Sequence, residues 1–309
     1  MAEREVKKAT GVCPAPQPPA GEAWDPAHLR KIQEHPCYSA EARHCYGRIH
    51  LPVAPNCNIQ CKYCDRRFDC VNESRPGVTS QVLTPEEALE KVSEVIKKHP
   101  FITVVGIAGP GEPLANEETF TTLRLVKEKF PKLISCISTN GLYLAERLDE
   151  LVSLEVGNIT VTLNALEPEI GEKIYSFIRY HDKVYKGKEA AALLIKNQLK
   201  GIEAAVKKGA FVKVNCVLIP GVNDHHMADI ARKVKELGAY MQNVMPLIPQ
   251  YLMADIPAPT PQERKQVQDD CEPIIRQMRH CRQCRADAVG LLDHDISQSC
   301  CGSPDDSKE

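Results

Sequence analysis

Residues 49–64 read Ile-His-Leu-Pro-Val-Ala-Pro-Asn-Cys-Asn-Ile-Gln-Cys-Lys-Tyr-Cys. An apolar stretch therefore leads directly into three cysteines, Cys57, Cys61 and Cys64, with the spacing Cys-x3-Cys-x2-Cys. Three thiolates on one short loop can hold three corners of a 4Fe–4S cube and leave the fourth iron open. A zinc site is the alternative, but its usual spacing is Cys-x2-4-Cys with a second pair elsewhere. The triplet favours an iron–sulfur cluster.

An open iron can bind the amine and carboxylate of S-adenosylmethionine (SAM) and deliver one electron to its sulfonium. That electron cleaves a C–S bond and gives a 5′-deoxyadenosyl radical. Tyr63, one residue before the last cysteine, adds the aromatic side chain usual in such a motif. The sequence resembles the radical SAM superfamily, which implies a partial TIM barrel (β6/α6), a 4Fe–4S cluster and SAM.

The composition argues against a nucleic-acid-binding and a membrane-spanning protein. The 309 residues are 43% hydrophobic and 26% charged, with a net charge of −2, which is ordinary for a globular protein and argues against nucleic-acid binding. The apolar runs are too short to span a bilayer, and no signal-peptide pattern opens the chain, so we expect a cytoplasmic protein. In that compartment fourteen cysteines indicate metal or redox chemistry rather than disulfides.

The pattern of elements predicts an α/β protein. Thr84, Pro85 and Glu87 form a capping box that starts a helix, and Asn116 can cap a helix over 117–129. Further helices are expected over 188–208, 225–237 and 261–280. Alternating strands and helices require a parallel sheet with right-handed crossovers. The β-rich runs are Arg48–Ala54, Ile102–Ala108, Leu133–Thr139, Asn158–Asn164, Phe211–Ile219 and Met241–Leu247.

Four regions follow from this pattern. We expect a flexible tail over 1–26, a barrel with an amino-terminal ligand segment over 27–260, a carboxy-terminal extension over 261–292, and a second flexible tail over 293–309. Both extensions should help to cap the site, and the last one should fold back over the strand ends on a hinge.

Polar and glycine-containing loops follow the predicted strands, where a barrel of this type carries its site. Gly109-Pro110-Gly111-Glu112-Pro113 could be only a tight turn, but it resembles the Gly-Gly-Glu element of the superfamily, with free peptide groups for the methionine amine. The residues expected to contact SAM are Gly109, Gly111, Glu112, Thr139, Asn140, Asn164, Asn215 and Pro220.

Further cysteines and a histidine indicate which members of the superfamily the chain resembles. The string from His35 to Val78 and the terminal Cys281-Arg-Gln-Cys284-Arg-Ala-Asp-Ala resemble the nitrogenase cofactor maturases of the superfamily, in the form without a NifX-like domain. That resemblance, which covers nearly all of 28–292, implies two substrate 4Fe–4S clusters, K1 and K2. By position, K1 would be held by Cys37, His50 and Cys136, and K2 by Cys70, Cys281 and Cys284. Glu73 would bind or release an iron or act on protons.

Taken alone, some of these residues have simpler readings. A histidine such as His50 more often makes a hydrogen bond in the core, and Cys136 and Cys216 lie in β-rich runs where cysteine is usually a small buried hydrophobe. The resemblance implies instead that His50 and Cys136 bind a cluster, whereas Cys216 is still expected to be a small buried core residue.

The resemblance implies fusion of K1 and K2 with a SAM-derived carbide and an added sulfur into an 8Fe–9S–C precursor. One SAM would give its methyl group to a cluster sulfide and a second would generate the radical. Implied partners are iron–sulfur cluster donors, an electron donor and carrier or assembly proteins of nitrogenase. The alternatives are another radical SAM enzyme with auxiliary clusters and a non-enzymatic iron–sulfur carrier.

Overall fold

The computed structural model describes residues 26–72 and 80–297. Cys13, Glu73, Cys300 and Cys301 lie outside these ranges. The strands are β1 (Gly47–His50), β2 (Ile59–Cys61), β3 (Ile102–Ile107), β4 (Ile134–Thr139), β5 (Asn158–Thr162), β6 (Tyr175–Tyr180), β7 (Lys183–Tyr185), β8 (Phe211–Leu218), β9 (Met241–Pro246), β10 (Val289–Leu291) and β11 (His294–Asp295). The helices are α1 (Pro26–Gln33), α2 (Pro85–Lys98), α3 (Glu117–Lys129), α4 (Leu144–Ser153), α5 (Pro168–Ile174), α6 (Gly187–Lys207), α7 (Met227–Glu236) and α8 (Pro261–Cys271).

Six parallel strands form the main sheet. Its order is β11-β10-β1-β3-β4-β5-β8-β9, in which β1, β3, β4, β5, β8 and β9 run parallel to their neighbours. The six predicted strand positions and the partial-barrel fold are therefore confirmed. A second sheet, in the order β2-β6-β7, holds part of the cysteine triplet and was not predicted.

Apolar and polar side chains alternate along the strands and therefore lie on opposite faces of the sheet. On β8, Val212, Val214 and Cys216 belong to the main hydrophobic cluster, and the intervening Lys213 and Asn215 line an interior cavity. The same period of two follows from the pleat of any strand. Polar side chains therefore point into the barrel, and the apolar ones pack with residues from the helices. Cys216 is a core residue, as expected.

Two helix predictions need correction. The capping box of Thr84 and Glu87 is present, but Asn116 makes no capping hydrogen bond at the start of α3. Its side chain donates instead to the carbonyl oxygens of Asn56 and Glu112, at 2.9 Å and 2.7 Å. The last helix, α8, ends at Cys271 and not near residue 280. Pro273 explains the early end, because its ring excludes a helical hydrogen bond and clashes with the preceding turn.

The amino-terminal extension closes one mouth of the barrel, at the amino-terminal ends of the strands. The Tyr38 hydroxyl lies within hydrogen-bond distance of the carbonyl oxygens of Ile159 and Phe211, near the starts of β5 and β8. The Lys31 carbonyl accepts from Asn158, the first residue of β5, at 3.1 Å. This segment is therefore a plug opposite the mouth where we expected a cap.

The carboxy-terminal extension closes the side of the open barrel. Gln242 on β9 exchanges backbone hydrogen bonds with Arg276 and Met278, and β10 pairs antiparallel with β1 at the other edge of the sheet. Residues 272–291 thus cross from the last parallel strand to the first, and we call this segment the seam. It is fixed at both ends, so the expected hinged cap over the strand ends is wrong.

A buried arginine fixes one end of the seam. Arg48 is 1% exposed and donates to the carbonyl oxygens of Gly290 and Leu291, at 2.7 Å and 2.8 Å. It also pairs with Asp295 at 3.3 Å. Residues 293–297, which we expected in a flexible tail, are therefore structured as far as Ser297. Within the described ranges, no helix is both long enough and apolar enough to cross a membrane.

Candidate functional site

The cysteine triplet lies at the carboxy-terminal ends of the parallel strands. Gln60 in β2 fixes its backbone by donating to the carbonyl oxygens of Cys61 and Cys64, at 3.0 Å and 2.8 Å. The triplet lines a chamber, which we call the upper chamber. The strand-end residues Thr139, Asn140 and Thr162 line it too, so the predicted location of the triplet is confirmed.

Glu112 is the centre of a buried hydrogen-bond network in this chamber. Its carboxylate accepts from the Thr139 hydroxyl, from the Asn140 amide N–H at 2.6 Å and from the Leu114 amide N–H at 3.1 Å. Asn140 in turn donates through its side chain to Asn58 of the triplet loop, at 2.7 Å. Burial raises the pKa of Glu112 to about 7, against the opposing effect of these donors. The network ties β4 to the loop that carries the cysteines.

The Gly109–Pro113 loop packs tightly against the same cysteine loop. Gly111 N–H donates to the Ala54 carbonyl at 2.5 Å, and a Cβ on Gly111 would lie 2.4 Å from the Asn56 oxygen. Only glycine fits there. The Gly109 and Pro110 carbonyls already accept from Ala54 and Cys70, so these peptide groups are not a free edge. Each carbonyl oxygen retains a second acceptor position for a ligand.

Four of the eight predicted SAM contacts do not line this chamber, and one of them is Gly109 in the adjoining loop. Asn164 is fully buried, donates to the Tyr63 hydroxyl at 2.8 Å and accepts from the Val217 amide. Asn215 accepts from Asn243 and lines a different cavity, and Pro220 lines neither. The structure therefore brings Gly111, Glu112, Thr139 and Asn140 to the triplet, and it gives Asn164 the role of positioning Tyr63.

Burial disfavours the thiolate form of the triplet cysteines. Burial raises the pKa of Cys57 and Cys61, and raises that of Cys64 to about 11. Iron binding must therefore displace their protons. Arg66, which our sequence reasoning missed, lines the chamber and favours the thiolates of Cys57 and Cys64. A basic residue two positions after Cys64 was the only signal for it.

A second cavity lies inside the barrel, and we call it the inner cavity. Its potential metal ligands include Cys37 from the plug, His50 from β1, Cys136 from β4, and Cys281 and Cys284 from the seam. The upper chamber and the inner cavity share three lining residues, Asn72, Ala108 and Ser138. The two spaces are therefore neighbours separated by a wall of small side chains.

Strand register aligns the first set of ligands. His50, Gly106 and Cys136 are direct neighbours across β1, β3 and β4. A Cβ on Gly106 would lie within 3.3 Å of both His50 Nε2 and Cys136 Sγ, so the glycine leaves the space that these two side chains face. His50 Nδ1 lies 3.0 Å from the Arg285 carbonyl and must donate to it, which leaves Nε2 unprotonated in the neutral ring. Burial lowers the His50 pKa to about 4, so the ring is neutral at physiological pH.

The second set of ligands is not assembled as expected. Cys281 and Cys284 line the inner cavity, and Arg48 donates to Cys284 Sγ at 3.3 Å. Cys70, in contrast, lines the upper chamber beside the triplet and is bound through its amide to Pro110 at 2.9 Å. The three residues therefore do not share a cavity, because the hydrogen bond to Pro110 fixes Cys70 beside the other loop.

The ligand sets fit iron–sulfur clusters better than single ions. Among residues 26–72 and 80–297, no three His, Cys, Asp or Glu side chains converge as a single metal ion would require. A zinc site would hold its ligands about 2.0–2.3 Å from one point. A 4Fe–4S cube takes each thiolate at a separate iron, so cysteines spread around a chamber suit it.

Comparison with known proteins agrees with this geometry. Residues 51–234 match the radical SAM superfamily. The chain is 50% identical to the FeMo cofactor biosynthesis protein NifB of Methanocaldococcus infernus, over 86% of this chain and 87% of that protein. The chain belongs to the NifB family. Membership of the radical SAM superfamily implies a 4Fe–4S cluster and SAM as cofactors.

Other NifB relatives are longer. The chain is 48% identical to the NifB proteins of Chlorobaculum tepidum and Azotobacter vinelandii, and covers 62% and 55% of their lengths. It thus spans about half to three fifths of these curated relatives. Among solved structures, a radical SAM methyltransferase from Sphaerobacter thermophilus has a TM-score of 0.54 at 19% identity, over 75% of this chain and 64% of that one. That similarity concerns the fold.

Proposed function

We propose that this chain is a radical SAM enzyme of nitrogenase cofactor biosynthesis that joins two substrate 4Fe–4S clusters, K1 and K2, into an 8Fe–9S–C precursor. The observation that carries the proposal is the pair of neighbouring cavities. One is lined by a cysteine triplet of the SAM-binding type and the other by four cysteines and two histidines. A single-cluster enzyme has no use for the second set.

The resident cofactor belongs in the upper chamber. Cys57, Cys61 and Cys64 would hold the 4Fe–4S cluster, which when bound supplies the electron that cleaves SAM. Glu112 and Asn140 line the same chamber, and their mutual hydrogen bond at 2.6 Å fixes the polar surface that SAM would meet.

The substrate clusters belong in the inner cavity. We assign K1 to Cys37, His50 and Cys136, and K2 to Cys281 and Cys284 together with Cys70, which lines the neighbouring chamber across the shared wall. Incomplete ligand sets suit clusters that must later leave, whereas a structural zinc site fills all four positions. Glu73 remains a proposal from the family resemblance, as an iron ligand or a proton carrier.

In this proposal, SAM and the substrate clusters approach each other across the wall that the two cavities share. In the proposed reaction one SAM would supply a methyl group to a sulfide of K2 and leave as S-adenosylhomocysteine. A second SAM, cleaved by one electron, would supply the radical that takes a hydrogen atom from that methyl group and leaves as 5′-deoxyadenosine. Further deprotonation leaves the carbide, and an added sulfur completes the product. Ala108 and Ser138 are small enough to let a methyl group or a radical carbon approach across the wall. Iron–sulfur cluster donors, an electron donor and carrier or assembly proteins of nitrogenase are the proposed partners.

Anaerobic reconstitution with iron, sulfide, SAM and reductant tests this function. The loaded chain should bind about twelve irons, in three clusters of four. Its product should activate nitrogenase that lacks its cofactor. Auxiliary clusters that stay bound during turnover would favour another radical SAM reaction. Failure to cleave SAM would favour an iron–sulfur carrier.

A further inference from the structure

His35 has a buried ring nitrogen whose role the proposed reaction does not explain. The residue is 2% exposed and lines the inner cavity together with Cys37, His50 and Cys136. Its ring packs edge-on against Tyr38, with centroids 4.8 Å apart, so its orientation is fixed. His35 is thus a rigid part of the cavity wall.

The proton on this ring can be located from its hydrogen bonds. The Cys37 amide N–H donates to His35 Nδ1 at 3.2 Å, so Nδ1 is an acceptor and carries no proton. The ring proton is therefore on Nε2. Nε2 is buried and has no hydrogen-bond partner within the described ranges. A buried donor without an acceptor destabilises the fold, so its retention calls for an acceptor that the protein itself does not provide.

The cavity around His35 suits an anion with soft acceptor atoms. The Lys213 side chain lines the cavity as well, with Nζ 3.8 Å from the Met278 sulfur and 5.8 Å from the centre of the Tyr38 ring. A cationic amine and an N–H donor that line the same cavity as the thiols match the charge of a thiolate-bound iron–sulfur cluster. Hydrogen bonds to the sulfurs of such clusters help to set their reduction potentials.

We infer that His35 Nε2–H donates a hydrogen bond to an inorganic sulfide of the cluster held by Cys37, His50 and Cys136. His35 is then a positioning residue that orients K1 and raises its reduction potential. The inference rests on the proposed function, because it requires a cluster in the inner cavity. It assigns a role to His35 that differs from that of the metal ligands.

Two substitutions separate the roles of the two ring nitrogens. His35→Asn places an oxygen near the position of Nδ1, which keeps the acceptor for the Cys37 amide but removes the donor at Nε2. His35→Gln reaches further and keeps a donor near the position of Nε2. Both are made in chains that also carry Cys57→Ala, Cys61→Ala and Cys64→Ala, so that only substrate clusters are present.

The measurement is a redox titration of the cluster that shows ¹⁴N coupling to His50 in pulsed electron paramagnetic resonance. We expect His35→Asn to move its potential to a more negative value, and His35→Gln to restore it towards that of the His35 chain. Loss of this cluster in the Asn variant alone would also support the inference. An unchanged potential in the Asn variant, or loss of the cluster in both variants, would make His35 merely structural and overturn it. Absence of any ¹⁴N-coupled cluster in the His35 chain would overturn the proposed K1 site itself.

Discussion

Gly106→Ala tests the inner cavity with the smallest possible change. Gly106 lies on β3 between His50 and Cys136, and a Cβ there would approach His50 Cδ2 to 2.9 Å and Cys136 Sγ to 3.0 Å. The backbone at this position is one that alanine can adopt, because its φ is not in the left-handed region. The effect should therefore come from the added methyl group alone.

The structure gives the size of that effect. Ordinary contacts begin at 3.4 Å, so both side chains must retreat by a few tenths of an ångström. Metal–ligand distances tolerate only about 0.2 Å, so the retreat is enough to weaken iron binding. Overpacking costs about 1–3 kcal/mol, and alanine returns about 0.4–1 kcal/mol by restricting the unfolded chain. The barrel should stay folded and lose about four of its twelve irons.

Gly201→Ala is the matched control. Its Cβ would meet Leu144 Cβ at 2.8 Å, a similar clash between α6 and α4 with no cluster ligand nearby. The assay is iron and acid-labile sulfide per chain after anaerobic reconstitution, together with 5′-deoxyadenosine yield in the presence of SAM. The control should keep all its iron. Full iron in Gly106→Ala would refute the assignment of His50 and Cys136 to one cluster.

Three further predictions address the upper chamber, the wall and the seam. Cys61→Ala should abolish SAM cleavage and leave about eight irons in place; a normal yield of 5′-deoxyadenosine would contradict the role of the triplet. Ser138→Val should thicken the wall and lower methyl transfer from labelled SAM at least tenfold while iron content stays unchanged, and undiminished transfer would show that the reactants meet elsewhere. Arg48→Leu should lower the free energy of unfolding by about 2–4 kcal/mol in urea titrations of the apo-protein, because it removes the donor to the Gly290 and Leu291 carbonyls and the ion pair with Asp295; a loss below about 1 kcal/mol would mean that Arg48 does not anchor the seam.

Local signals explain what the sequence predicted well. The strands of the barrel follow from alternating apolar residues, and the start of α2 follows from Thr84 and Glu87, which act within one helical turn. The triplet and the Glu112 loop were located because each lies directly after a strand. The predicted capping role of Asn116 is wrong because its partners, Asn56 and Glu112, are brought to it by folding.

Long-range pairing explains what the sequence did not predict. The seam depends on Arg48 meeting residues more than two hundred positions away, and Cys70 was grouped with Cys281 and Cys284 without knowledge of that path. Two signals were available and were not used. A glycine inside the apolar run Val104-Val105-Gly106-Ile107 indicates a close approach of other groups, and an arginine in a buried-looking strand indicates a buried partner.

Because of the position of the seam, a bound substrate cluster would also stabilise the fold. Cys281 and Cys284 lie between two fixed points, the backbone pairing at Gln242 and the anchor at Arg48. A cluster bound there would join the seam to the inside of the barrel. Because it would bind the folded protein, its binding free energy would add to the free energy of unfolding. Release of the product would remove that contact, and the middle of the seam would then be held only through its two ends. Thermal stability would then rise on loading and fall on delivery, so a melting curve would report what fraction of the molecules carries a cluster.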